Sequence, residues 1–160
     1  MRDISVPVLV DVPRRSNIAD LVIRQAAKPS DPALFAVKRP SGEWEDIPAT
    51  EFRRQVEDIA KGLIASGIQP GDRVAIMART RYEWSLADFA IWFAGAVSVP
   101  VYETSSPAQV AWILSDSGAV GAFVEAVRHE QVVREAVALV LADLETQGVD
   151  SPLVQRLLDE

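Results

Sequence analysis

Gly71-Asp72-Arg73-Val74-Ala75-Ile76 and Gly95-Ala96-Val97-Ser98-Val99-Pro100-Val101-Tyr102 decide how this chain folds. The first stretch reads as a turn that delivers the chain into a buried strand, and the second as a helix end that feeds another. Between them, residues 82–95 are apolar almost throughout, as expected of a largely buried helix. Strand, helix and strand in that order form a right-handed crossover unit with parallel strands. The expected strands are residues 73–78 and 97–102.

Working outward, Ser106-Pro107-Ala108-Gln109 combines an N-cap serine, a proline at the first helical position and a reciprocal glutamine. Val110, Ile113 and Leu114 then supply a buried stripe, Asp116-Ser117-Gly118 ends the helix, and residues 119–124 read as a third parallel strand. Residues 129–144 have helical character, Gly148 breaks them, and Ser151-Pro152 opens a last short helix to Leu158. Toward the N-terminus, Asn17 caps a helix carrying Ile18, Leu21, Val22 and Ala26, which Lys28-Pro29 ends. Residues 33–37 and 43–47 flank Pro40-Ser41-Gly42 and form a hairpin. Thr50 is the expected N-cap of the clearest helix, with Phe52, Val56, Ile59, Ala60, Leu63 and Ile64 at threes and fours and Gly67 at its end. The expected fold is therefore α/β: a βαβαβ parallel-sheet subdomain preceded by a helix, a β-hairpin and a second helix, all in one domain over residues 1–160.

Composition narrows the function classes. The chain has 160 residues, 49% of them hydrophobic and 24% charged, an ordinary globular balance. A net charge of -7 repels phosphates over most of the surface, which excludes a nucleic-acid partner. Cysteine is absent, so no thiolate nucleophile, zinc-thiolate site or disulfide framework is available. Pro7 and Asp11 interrupt the segment that a secretory signal would need to be apolar, and the longest apolar run, residues 89–101, falls short of the ~20 residues that span a bilayer. A cytoplasmic protein with no transmembrane segment is expected.

Candidate chemistry gathers at the ends of the strands, where open α/β sheets place their ligands. Gly71 and Gly95 do not make a dinucleotide fingerprint, because that motif needs closely spaced glycines between strand and helix, and Arg79-Thr80-Arg81 follows the first strand instead. Arg79 and Arg81 can meet a phosphate there; the simpler expectation is a solvated loop in which Thr80 caps the next helix. Tyr102, Glu103 and Thr104 follow the second strand at the same sheet edge and are the other candidates. Tyr82, Trp84, Phe89, Trp92 and Phe93 can line an acyl pocket, although their spacing is first that of a buried crossover helix. His129, the only histidine, has no serine or aspartate at a recognisable spacing and is expected on the surface at a helix start. Glu130 and Glu135 with Arg128 and Arg134 read as a solvated helix face. No metal site and no catalytic group is identified from these residues.

Beyond this reading lies a resemblance. Asn17-Ile18-Ala19-Asp20-Leu21, residues 44–52, Gly62-Leu63 with Gly67-Ile68, residues 71–76, Tyr82-Glu83-Trp84 and residues 95–106 are similar to the opening of the AMP-forming adenylate synthetases, and among them to bacterial long-chain fatty-acid–CoA ligases. The run from Trp92 to Tyr102 resembles a recurrent early motif of that superfamily, and Tyr102-Glu103-Thr104-Ser105-Ser106 narrows the likeness toward acyl-CoA ligases. The likeness covers residues 4–124, with residues 125–160 a divergent, mostly helical tail. It implies a reaction in which a fatty acid and ATP give an acyl adenylate and pyrophosphate, with magnesium assisting, after which coenzyme A takes the acyl group. Position at the sheet edge and on the crossover helix makes Thr80, Trp84, Tyr102, Glu103 and Thr104 the substrate-cleft candidates.

The departures from the family are equally specific. A Ser/Thr/Gly-rich phosphate loop ending in Pro-Lys-Gly, a ribose-binding aspartate far downstream and a late lysine have no counterpart here: Lys61 is the last lysine and Gly148 the only glycine after Val124. Without oriented donors for the phosphoryl transition state, the main catalytic contribution is missing, so the chain alone is expected to be inactive and to bind no cofactor. Two expectations follow: the N-terminal portion of a ligase supplying scaffold and one wall of a cleft, or a stand-alone non-catalytic α/β interaction module or truncated paralogue. An open sheet edge would favour self-association in either case.

Overall fold

The computed structural model describes residues 16–146, together with Pro7. In chain order these form α1 (Ala19–Ala26), β1 (Ala33–Lys38), β2 (Trp44–Pro48), α2 (Ala49–Ala65), β3 (Arg73–Met77), α3 (Tyr82–Phe93), β4 (Val97–Val101), α4 (Pro107–Ser117), β5 (Ala119–Val124) and α5 (Val127–Thr146). The expected α/β class and βαβαβ order stand. The break at Gly148 and the helix over residues 151–158 lie outside the described residues.

β1 and β2 pair antiparallel as the expected hairpin, while β4, β3 and β5 form a parallel sheet in that spatial order. The first strand of the unit is thus the central one. The connection from β3 to β4 runs one way across the sheet and that from β4 to β5 runs back over β3, so right-handed crossovers put α3 and α4 on opposite faces. Side-chain alternation along β3 agrees with this. Val74 and Ile76 pack with Ala87 and Ile91 of α3, whereas Ala75 and Met77 pack with Val110 of α4 and Ala136 of α5.

Helix α3 is apolar all round because it is covered on two sides. Its Leu86 and Ala90, with Ala94 just beyond its end, join Val22 of α1, Ile47 of β2 and Phe52, Val56 and Ala60 of α2 in a second core. Phe52 and Val56 are 1% and 0% exposed, each contributing about 1.5–3 kcal/mol of burial. The layers therefore run from α1, α2 and the hairpin through α3 and the sheet to α4 and α5.

Of three helix starts, one departs from expectation. Asn17 and Asp20 cap α1 reciprocally, Asp20 N–H donating to Asn17 Oδ1 at 3.0 Å and Asn17 N–H to Asp20 Oδ2 at 2.8 Å. Thr50, however, is not the cap of α2, which begins at Ala49. Asp31 takes that role from across the hairpin: Thr50 N–H and Oγ1–H donate to its two carboxylate oxygens at 2.9 and 2.6 Å. Ser106 and Gln109 form the predicted capping box on α4.

The two deciding stretches touch each other. Gly71 N–H donates to the Gly95 carbonyl at 2.9 Å and Val97 N–H to the Asp72 carbonyl at 2.7 Å, which starts β4 beside β3. Arg73 then reaches the other way: its Nε and Nη2 donate to the carbonyls of Ser117 and Gly118 at 2.7 and 2.9 Å, placing a cation on the negative end of α4. Gly118 sits at φ 62°, and a Cβ there would stand 2.5 Å from Arg73 Nη2. Gly118→Ala should therefore lower stability by about 1–2 kcal/mol in urea unfolding, from the left-handed backbone alone. Gly62, inside α2 with open space around it, should behave oppositely: Gly62→Ala is expected to raise stability by about 0.5–1 kcal/mol.

Candidate functional site

The C-terminal end of β3 has a crevice on each side, because α3 leaves on one face of the sheet and α4 and α5 on the other. On the β4 side, Ala78, Arg79, Thr80, Trp84, Pro100, Val101, Tyr102 and Glu103 line an open cavity of about 450 Å³. On the β5 side a narrower one, about 260 Å³, is floored by Ile76, Trp84, Ala87 and Phe123 and rimmed by Arg81, Glu83 and Glu125. Trp84 stands between them and borders both.

The fold thus brings four of the five candidates, Thr80, Trp84, Tyr102 and Glu103, to one cavity; Thr104 is not part of its wall. Tyr102 is 85% exposed. Thr80 does not cap α3 as expected, since Arg81 occupies the N-cap position and no side chain caps there. The other aromatics of α3 point away. Phe89 meets Phe52 at 5.4 Å between ring centroids and Trp92 at 5.0 Å, and the Tyr82 hydroxyl donates to Gln55 Oε1 at 2.9 Å, so they belong to the α2 layer.

Charge at this edge is consumed internally. Arg79 donates to Glu125 through its main-chain N–H at 2.8 Å, Nε at 3.0 Å and Nη2 at 2.6 Å, and Arg81 Nη1 adds a fourth contact at 3.2 Å. The Arg79 guanidinium, followed by its main-chain N–H, holds the Glu125 carboxyl down at about 2. Arg81 also donates to Glu83 at 2.8 Å. Across β4, Arg128 Nη2 donates to Glu103 at 3.1 Å while the Arg128 side chain stays exposed, as expected. Glu130 and Arg134 do form an exposed pair at 2.9 Å.

His129 corrects another expectation. It is 1% exposed rather than on the surface, because α5 begins at Val127 and packs that turn inward. Its Nε2 accepts from Arg128 Nε at 3.0 Å, which leaves the proton on Nδ1, an atom without a partner. Asp88 was not recognised as a buried residue either. It lies 7% exposed on α3, with Oδ1 unpartnered, and burial raises its carboxyl, offset in part by a hydrogen bond from Ser98. The one acid beyond the first turn of an otherwise apolar helix was the available signal. Glu125, directly after the third strand, was equally visible by position but not by partner.

The residues present do not fit a magnesium–nucleotide group. Arg79 and Arg81 already hold Glu125, and among the described residues no three metal-ligating side chains come together. Nor is any described helix long and apolar enough to cross a membrane.

Residues 22–158 match the family of AMP-binding enzymes. The chain belongs to that family. It is 44% identical over 135 residues to the long-chain-fatty-acid–CoA ligase FadD15 of Mycobacterium tuberculosis, a match covering 84% of this chain and 22% of that protein. The N-terminal domain of FACL13 from Mycobacterium tuberculosis superposes with a TM-score of 0.63 at 28% identity, over 74% of this chain and 29% of that one. The anthranilate–CoA ligase AuaEII shares the fold with a TM-score of 0.68 at 19% identity, over 81% of this chain and 24% of that one. The chain thus spans 22% of the length of the FadD15 relative and corresponds to the N-terminal portion of such ligases.

Two outcomes follow from the ionisable groups. A depressed carboxyl stabilises the native state above its unfolded value and loses that contribution as pH falls toward the native one. Glu125→Gln should therefore unfold at lower urea than the parent at pH 7, with the difference shrinking from about pH 4.5 toward pH 2. Asp88 has the opposite sign: its raised carboxyl makes the native state less stable as pH rises above the unfolded value of 3.8. Asp88→Asn should raise the thermal midpoint at pH 7 and match the parent below pH 3.8, as followed by circular dichroism.

Proposed function

We propose that this segment serves a long-chain fatty-acid–CoA ligase, an enzyme that converts ATP, a fatty acid and coenzyme A to acyl-CoA, AMP and pyrophosphate with magnesium in the cytoplasm. Its contribution is the parallel-sheet scaffold and one wall of the acyl or coenzyme A cleft, with Thr80, Trp84, Tyr102 and Glu103 on that wall. The observation that carries this reading is the 44% identity to FadD15 over 84% of the chain, joined to a cavity that opens where parallel sheets receive ligands. The chain by itself does not adenylate, because its edge arginines are committed to carboxylates.

Self-association is favoured by the outer side of β5. β4 carries Pro100, which cannot donate to an added strand, whereas residues 119–124 include neither proline nor charge. Val120 and Val124 remain 44% and 38% exposed there. That edge also supports the second reading, an interaction module whose partner pairs with β5.

Purified chain given ATP, palmitate and coenzyme A should release no pyrophosphate above the protein-free rate, and calorimetric titration with ATP should show no saturable heat. Turnover that scales with protein concentration would overturn the inactivity of the isolated segment.

A further inference from the structure

Glu125 is bound in the way a ligand is bound. Its carboxylate receives a main-chain N–H and the guanidinium group of Arg79, and a second guanidinium from Arg81, at 2.6 to 3.2 Å. Its side chain is 9% exposed although it lies at the rim of a crevice. Behind it the crevice is lined by the apolar side chains of Ile76, Trp84, Ala87 and Phe123. One carboxylate at the mouth and a flat apolar hollow beneath it describe the complement of a small acid with an aromatic or short aliphatic body.

We propose that the β3–β5 crevice is a carboxylate-binding site that the chain fills with its own Glu125, and that a small acid with a flat apolar body takes that place when the Glu125 side chain is withdrawn. Arg79 is the principal holder, because Arg81 is shared with Glu83. The internal carboxylate competes at the high effective concentration of a tethered group, so a free acid binds the parent protein weakly. Arg79, which also lines the neighbouring cavity on the β4 side, passes from Glu125 to the incoming carboxylate. This site is separate from any ligase activity and stands or falls without it.

Chemical rescue tests the proposal on the full chain. Glu125→Ala removes the built-in carboxylate, and its thermal midpoint should fall. At constant ionic strength, 3-phenylpropanoate should restore it, acetate should restore less for want of an apolar body, and the neutral 3-phenylpropanamide should restore nothing. The affinity of 3-phenylpropanoate for Glu125→Ala should exceed that for the parent by about tenfold or more, once the tethered competitor is gone. Adding Arg79→Ala should abolish the rescue, and adding Trp84→Ala should erase the preference for phenylpropanoate over acetate. If Glu125→Ala does not fold, Glu125→Ser, which also vacates the carboxylate's place, gives the same comparison by calorimetric titration with 3-phenylpropanoate. Equal stabilisation of parent and variant, rescue by the amide, or no rescue by any acid would each overturn the assignment.

Discussion

A five-residue strand with neighbours on every side holds this molecule together. β3 bonds to β4 along one margin and β5 along the other, while Val74 and Ile76 enter one core and Ala75 and Met77 enter another. Its first residue clamps the end of α4, and the turn before it bonds to the turn before β4. An insertion of one residue in β3 would exchange the two sets of side chains between the cores and misplace every one of these contacts.

The edge above β3 presents shape more than charge. Arginines 79, 81 and 128 and the carboxylates of Glu83, Glu103 and Glu125 satisfy one another, so an acidic protein leaves little cationic surface where a phosphate would land. Trp84 and Tyr102 remain as the larger apolar groups of the β4-side cavity. That division suits a segment that shapes a cleft, the phosphate chemistry depending on residues of another kind.

Local signals in the sequence were readable where the partner lay close along the chain. The Ser106–Gln109 box, the Asn17 cap, the hairpin turn and the apolar period of α2 each involve residues a few positions apart, and each is present. Long-range partners were not readable. The order β4-β3-β5 depends on a crossover that passes over an existing strand, which periodicity does not encode. Thr50 has the composition of a cap, yet Asp31 wins the position through a bond spanning 19 residues. His129 was misplaced because polarity alone suggested the surface, while packing against α4 turns that side of α5 inward. The strand-end site was legible as a location, since topology fixes where ligands gather; the neutralisation of Arg79 by Glu125, 46 residues away, was not.

The strand order also has a history in time. The central strand is the first of the three to leave the ribosome, and the carboxylate that pins its end follows 46 residues later. At ordinary synthesis rates that interval is about 2–9 s, far longer than helix formation or the closure of a short hairpin. During it β3 can lean on α3 and then β4, while its other margin stays bare. Until β5 has been made, one margin of β3 in the nascent chain therefore has no strand to pair with.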